Sequence, residues 1–179
     1  MKNKLFKEEV SINALLYVLK QLGGMCDMHK ASKIFYYADQ RHLSLYGRTI
    51  TGDVYIAMQY GPVPSKINDI MKAVRGDSYF EYKTDKFTFV NRYEIRLQEQ
   101  PDLDYLSETD IECLNYAIDL CRNMSFSELT QFSHGLAWTK GCMRDNISFS
   151  DMLVEVHDEA GYIDYISAKR KLNEAVSRL

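Results

Sequence analysis

With only three prolines and nine glycines in 179 residues, the chain is too poor in both to be collagenous, low-complexity or divided by a linker. Long apolar runs are missing too. The longest, Ala14 to Leu19, is six residues, against the roughly 20 that a membrane-spanning helix requires. Glu8 and Glu9 interrupt any signal-peptide core behind the opening Met1-Lys2-Asn3-Lys4, so neither a transmembrane nor a secretory segment is expected. Cysteine is sparse: Cys26, Cys113, Cys121 and Cys142 are scattered, which fits reduced thiols and a cytoplasmic location better than a disulfide framework. Excess charge of one sign is also lacking. The formal net charge of −3 weighs against a protein that grips phosphate backbones by counterion release.

The remaining composition, 46% apolar and 26% charged, is that of one ordinary globular domain, and we read residues 1–179 as such. At this length a single core removes roughly 70% of the extended chain's surface from water, so no disulfide or metal is needed to hold it. Charge is unevenly spread. Residues 1–50 hold eight basic and four acidic side chains, whereas Glu99 to Cys121 holds seven acidic residues and no Lys or Arg. The acidic stretch reads either as a solvated helix face or as a surface for a basic partner.

Periodicity places helices first. Val10 to Leu22 is apolar almost all round and stops at Gly23-Gly24, as a central helix would. A second helix is expected from Met28 to Tyr46, with Asp27 as N-cap and Gly47 beyond its end. Its inner stripe is Ala31, Ile34, Phe35, Ala38, His42 and Leu45, and its outer face carries Lys33, Asp39 and Arg41. Val54 to Tyr60 reads as a strand halted by Gly61-Pro62-Val63-Pro64, followed by a helix to Val74. Tyr79 to Tyr82 and Phe87 to Val90 are expected to form a hairpin through Thr84-Asp85, with a further strand at Glu94 to Leu97. Capping signals at Ser107 and Ser125 then open two helices, the second placing Leu129, Phe132 and Leu136 inward. Two more run from Ser150 to Ala160 and from Ser167 to Leu179. The expected class is α+β, predominantly helical, with about six or seven helices around a small antiparallel sheet.

Signatures of chemistry are few. No phosphate loop, GxSxG elbow, HExxH, paired CxxC or EF-hand loop occurs. Cys26 and His29 have metal-like spacing, but no second pair follows, so a buried thiol beside a helix start is the reading. Ser133 and His134 are adjacent, and adjacent helical residues point some 100° apart, too far to act as nucleophile and base to each other. No metal or cofactor is expected.

Two features stand out from this background. One is Phe35 to Asp53, with Tyr36-Tyr37, Tyr46-Gly47-Arg48 and Gly52-Asp53, continued by Tyr60-Gly61-Pro62-Val63-Pro64-Ser65. The other is Ser133-His134-Gly135-Leu136-Ala137-Trp138. Together they resemble the Panacea domain, an antitoxin domain that includes the SocA-type proteolytic adaptor, and the resemblance spans about residues 10 to 140. It implies a helical, non-enzymatic protein of bacterial mobile elements, phages or toxin–antitoxin operons. Such a protein binds a toxin encoded next door and neutralises it, or in the SocA case hands it to a protease. The paired toxins are diverse, so the resemblance names no target; with no long apolar run in the sequence, no membrane partner is expected.

The residues have their own physical reading. Gly47, Gly52 and Gly61 sit at breaks between elements, Asp53 follows one of them, and Pro62 with Pro64 stiffens the next helix entry around Val63. His134 and Trp138, four apart, are expected to share a helix face and lock the C-terminal helices to the rest. Thirteen tyrosines against eight phenylalanines suit a surface that is dry in a complex and wet when free. On that basis the candidate partner-binding residues are Tyr36, Tyr37, Arg41, Tyr46, Arg48, Tyr60 and Lys66. The alternative is a nucleic-acid-binding regulator that uses the 64–74 helix and the 79–90 hairpin as a winged unit, with Lys66, Lys72, Arg75, Lys83, Lys86 and Arg92 supplying basic charge. A cysteine- or histidine-dependent hydrolase has the weakest support, because nucleophile, base and oxyanion donor cannot be placed together.

Overall fold

A computed structural model of the chain describes residues 5–78, 81–142 and 146–156, with single positions between 165 and 176. Its first helix, α1 (Glu8–Gln21), buries every residue from Ser11 to Leu19 and carries two glutamates in the first turn, where the helix dipole favours them. The chain leaves α1 through Gly23 and Gly24, both at positive φ. A short strand, β1 (Met25–Asp27), follows, and Asp27 accepts hydrogen bonds from the backbone N–H of His29 and Lys30 to open α2 (Met28–Tyr46). Gly47, left-handed at φ 73°, closes that helix.

Helix α2 is the hub. It touches α1 and β1 and packs against one strand and three helices that follow: β2 (Tyr55–Met58) and β3 (Gly61–Pro64) form a hairpin whose second strand lies on it, and α3 (Ser65–Arg75) leads away. Strands β4 (Phe87–Phe89) and β5 (Glu94–Leu97) come next, then a 3₁₀ turn (Leu103–Tyr105) and α4 (Glu108–Cys121), which makes the most extensive contact with α2. Helices α5 (Phe126–Phe132), α6 (Leu136–Gly141) and α7 (Phe149–Val156) complete the described chain, α5 and α7 also resting on α2. Core side chains such as Leu15, Ile34, Phe35, Leu43 and Leu114 are wholly buried, each contributing about 1.5–3 kcal/mol of transfer free energy. The fold is therefore α+β and predominantly helical, with seven α-helices among the described residues.

The strands fall into two antiparallel sheets, one ordered β1-β5-β4 and the other β2-β3. In the first, Cys26 faces Ile95 and Thr88 faces Arg96, so the hairpin joins β4 to β5. Of the expected Tyr79 to Tyr82 strand, Tyr79 and Phe80 lie outside the described residues, and Glu81 and Tyr82 are not in a strand. Asn91 makes the actual turn, its Oδ1 accepting from the N–H of Tyr93 and Glu94 at 2.8 and 3.0 Å. In the second sheet Gly61-Pro62-Val63-Pro64 is itself a strand, with Ile56 opposite Val63 and Gln59-Tyr60 as the turn. Its prolines alternate, so the remaining N–H groups, those of Gly61 and Val63, point to one edge and suffice for a two-stranded ribbon.

Other expectations are also corrected. Lys33 and Asp39 were placed on the outer face of α2, yet both are fully buried because neighbouring elements cover that helix on nearly every side. Leu45, Phe132 and Leu136, expected inward, are exposed, since α5 is one short helix anchored by Leu129 alone and α6 begins a new direction at Leu136. Helix α7 begins where the Ser150 to Ala160 helix is expected and is described to Val156, while most of the Ser167 to Leu179 helix, Tyr79 and Phe80 lie outside the described residues.

Candidate functional site

The motif residues around the end of α2 are joined by two buried carboxylates. Asp39 accepts from the N–H of Ile50 at 2.7 Å, the N–H and hydroxyl of Thr51, and the Tyr55 hydroxyl at 2.9 Å. Burial pushes its carboxyl upward, and those hydrogen bonds oppose the shift. Asp53 accepts from Val54 N–H at 2.7 Å and from Lys66 and Ile67 N–H at 2.9 and 3.0 Å, so it caps α3 across the hairpin where Pro64 has no side chain to do so. Burial raises Asp53 to about 6. Between the two, Gly52 lies at φ 68° with the Leu5 carbonyl where a Cβ would be.

A third carboxylate, Asp110, opens α4 through a reciprocal capping box with Ser107. Nε2 of His42 lies 3.1 Å from Asp110 Oδ1, while His42 Nδ1 donates to the Arg48 carbonyl at 2.8 Å. Arg48 itself pairs with Asp110 at 3.0 Å. Burial alone would raise Asp110, but hydrogen bonds from His42 and Ser107 and the Arg48 charge hold it well below the usual carboxylate range.

These contacts decide where the candidate partner residues stand. Tyr36 and Tyr37 are core residues: the Tyr36 hydroxyl donates to Glu155 at 2.9 Å, and Tyr37 packs edge-on against Tyr36 and beside Phe132. Arg41 lies 4.3 Å over the Tyr116 ring. Tyr46 donates to Glu112 at 2.9 Å, and with Arg48 it fastens α2 to α4. Of the seven, Tyr60 and Lys66 are exposed, Arg41, Tyr46 and Arg48 are half-buried, and Tyr36 and Tyr37 are buried.

The second motif is brought onto the first. His134 and Trp138 stack with centroids 3.6 Å apart and planes 9° from parallel, although His134 lies in the turn before α6 and not on one helix with Trp138. The indole N–H donates to the Met58 carbonyl at 2.9 Å, tying α6 to the β2–β3 turn. Glu155, which the sequence reading passed over, accepts from Tyr36, from Gln40 at 2.8 Å and from the Ala137 N–H at 3.0 Å, and so holds α7 and α6 to α2.

A groove of about 680 Å³ opens between the N-terminal half of α2, the β2–β3 turn, α3 and the start of α5. Its wall includes Lys33, whose ammonium donates to the Pro62 carbonyl at 2.9 Å and is pushed down to about 7 by burial. Gly61, at φ 101°, permits this: a methyl there would collide with Ser133 Oγ and press on the Lys33 side chain. His29 bonds the Tyr60 carbonyl through Nε2 at 3.0 Å and lies 4.2 Å from the Phe126 ring. Burial, then the Lys33 charge, pushes His29 downward. Met58, Tyr60, Tyr93 and Phe126 form an apolar rim, each between 45 and 60% exposed. Cys26 is a buried thiol raised to about 12 by desolvation, and among the described residues no His, Cys, Asp and Glu side chains gather into a metal-binding set.

The family described as antitoxin SocA-like, Panacea domain, matches residues 32–139, which is more than half of the chain. This chain belongs to that antitoxin family. No curated protein and no solved structure matches it. The Panacea match begins inside α2 and ends in α6, taking in Lys33, the Asp39 and Asp53 junction, the β2–β3 hairpin and the His134–Trp138 stack. Glu155, which anchors α7, lies beyond it. No helix among the described residues is long and apolar enough to cross a membrane.

Proposed function

We propose that this Panacea-domain protein is an antitoxin that binds a cognate toxin, encoded by the adjacent gene, through direct protein–protein contact and neutralises it by occupying its surface without catalysis. The family match over residues 32–139 carries this reading. The groove adds a surface suited to it, because solvent-exposed aromatic and methionine side chains beside basic groups are what protein interfaces use as anchors. Three of the six basic residues that the nucleic-acid reading relied on are engaged by acids: Arg75 with Asp77, Lys83 with Glu81 and Lys86 with Glu9. That favours the protein-binding reading.

Co-expression with the product of the adjacent gene tests it. That product alone should arrest growth, and this protein should restore growth and co-purify with it while the toxin's steady-state level is unchanged. A neighbour that is harmless alone, or that stays toxic when both are present, contradicts the antitoxin reading. Rescue accompanied by disappearance of the toxin would replace occupancy with delivery to a protease.

A further inference from the structure

We propose that the groove between α2, the β2–β3 turn and α3 docks a segment of the toxin in which an acidic side chain stands beside an apolar one. The acid faces Lys72, and the apolar group lies against Tyr60 and Phe126. This rests on the antitoxin reading and assigns the surface and the chemistry it selects.

Charge carries the first half. His29, Lys33, Lys72 and Arg75 line the groove, and the lining acid, Asp27, is committed to the N-terminus of α2 through Oδ1, which accepts from His29 and Lys30 N–H at 2.8 and 3.2 Å. Arg75 is offset by Asp77 at 2.9 Å and by the Arg92 carbonyl. Lys33 and Lys72 have no carboxylate in ion-pair range among the described residues. The Lys33 ammonium is wholly buried on the Pro62 carbonyl, so Lys72 is the lysine of the groove that a docked acid can reach. With Lys72 unpaired among the described residues and Asp27 committed to the start of α2, the groove is complementary to a carboxylate.

Shape and polarity carry the second. Tyr60 and Phe126 meet edge to face at 5.3 Å, and Phe126 rests on His29, so half of the rim is preorganised; Met58 beside it can adapt. A volume of about 680 Å³ accepts a few side chains. Phosphate is the poorer fit. The helix N-termini that would cradle it, those of α2 and α3, are closed by Asp27 and Asp53. What remains is long-side-chain charge next to an apolar wall, which suits Asp or Glu flanked by a hydrophobic residue.

The test measures the affinity of the purified protein for the adjacent gene's product and for overlapping synthetic peptides covering that product. Lys72→Glu and Tyr60→Ser should each weaken binding by about tenfold or more without moving the thermal midpoint, since neither side chain is buried. Lys20→Glu, on the exposed end of α1, should change it less than about threefold. Peptides that bind should contain an acid beside an apolar residue and lose binding when the acid becomes its amide. If the wild type binds the toxin and the groove variants bind it equally well, the groove assignment falls while the antitoxin reading stands. A wild type that binds neither toxin nor peptides sinks both. Binding of ATP or inorganic phosphate that is lost in Lys72→Glu, with the toxin indifferent to that change, would make the groove an anion site and overturn the proposal.

Discussion

Lys33 is costly to bury, a side chain wholly enclosed with one carbonyl as its acceptor among the described residues. Its pKa falls from 10.5 to about 7 in the native state, first because burial penalises the charged form. Between those values the unfolded chain binds more protons than the folded one, so stability should rise as pH increases from about 7 toward 10.5. Lys33→Met should flatten that rise, a change that urea unfolding at neutral and alkaline pH would detect, whereas an unaltered slope would assign the pH dependence elsewhere. Asp53 makes a contrasting case, because its carboxylate closes the start of α3 from a distant loop. Asp53→Ala should cost about 2–3 kcal/mol in urea unfolding, and Asp53→Asn, which keeps one acceptor, about 1 kcal/mol. A loss under about 0.5 kcal/mol for alanine would show that α3 needs no such cap.

At the scale of elements, α6 and α7 hold to the hub by few contacts. Glu155→Ala strands the Tyr36 hydroxyl and the Ala137 N–H and leaves the Gln40 amide with the Met152 carbonyl, and should cost about 2–4 kcal/mol while hydrogen exchange speeds first in α7. Uniform acceleration across α1 and α2 instead would mean that α7 is part of the cooperative core. Trp138→Phe keeps the stacked area on His134 but loses the bond to Met58, a smaller effect of about 0.5–1.5 kcal/mol by the same unfolding assay. Much of this layer is legible in the sequence where the signal is local: Asp27 and Gly47 bound α2, and Ser107 and Ser125 open α4 and α5. Where the determinant is distant, the sequence misleads. Lys33 and Asp39 read as surface charges because their partners, Pro62, Thr51 and Tyr55, lie on other elements. β1 has three residues, too few for a period, and the Thr84-Asp85 turn signal outweighed the Asn91 side chain that forms the true β4–β5 turn. The groove draws on four separated segments, and of the seven candidate contact residues only Tyr60 lines it.

On the scale of the whole molecule, the acidic total and the basic groove are complementary facts: a net charge of −3 keeps long-range attraction to polyanions weak, while the concavity favours an acidic segment at short range. The α2 hub braces that surface, since the helix also packs against α4, α7 and β3. Neutralisation by occupying the toxin's surface implies stoichiometric action. Titrating the purified toxin with this protein, and reading residual toxin activity, tests that most directly. The account predicts a linear loss of activity that is complete at equal molar amounts, with intact, active toxin recovered when the complex is dissociated. Complete inactivation at a small fraction of that amount, or recovery of a covalently altered toxin, would contradict it.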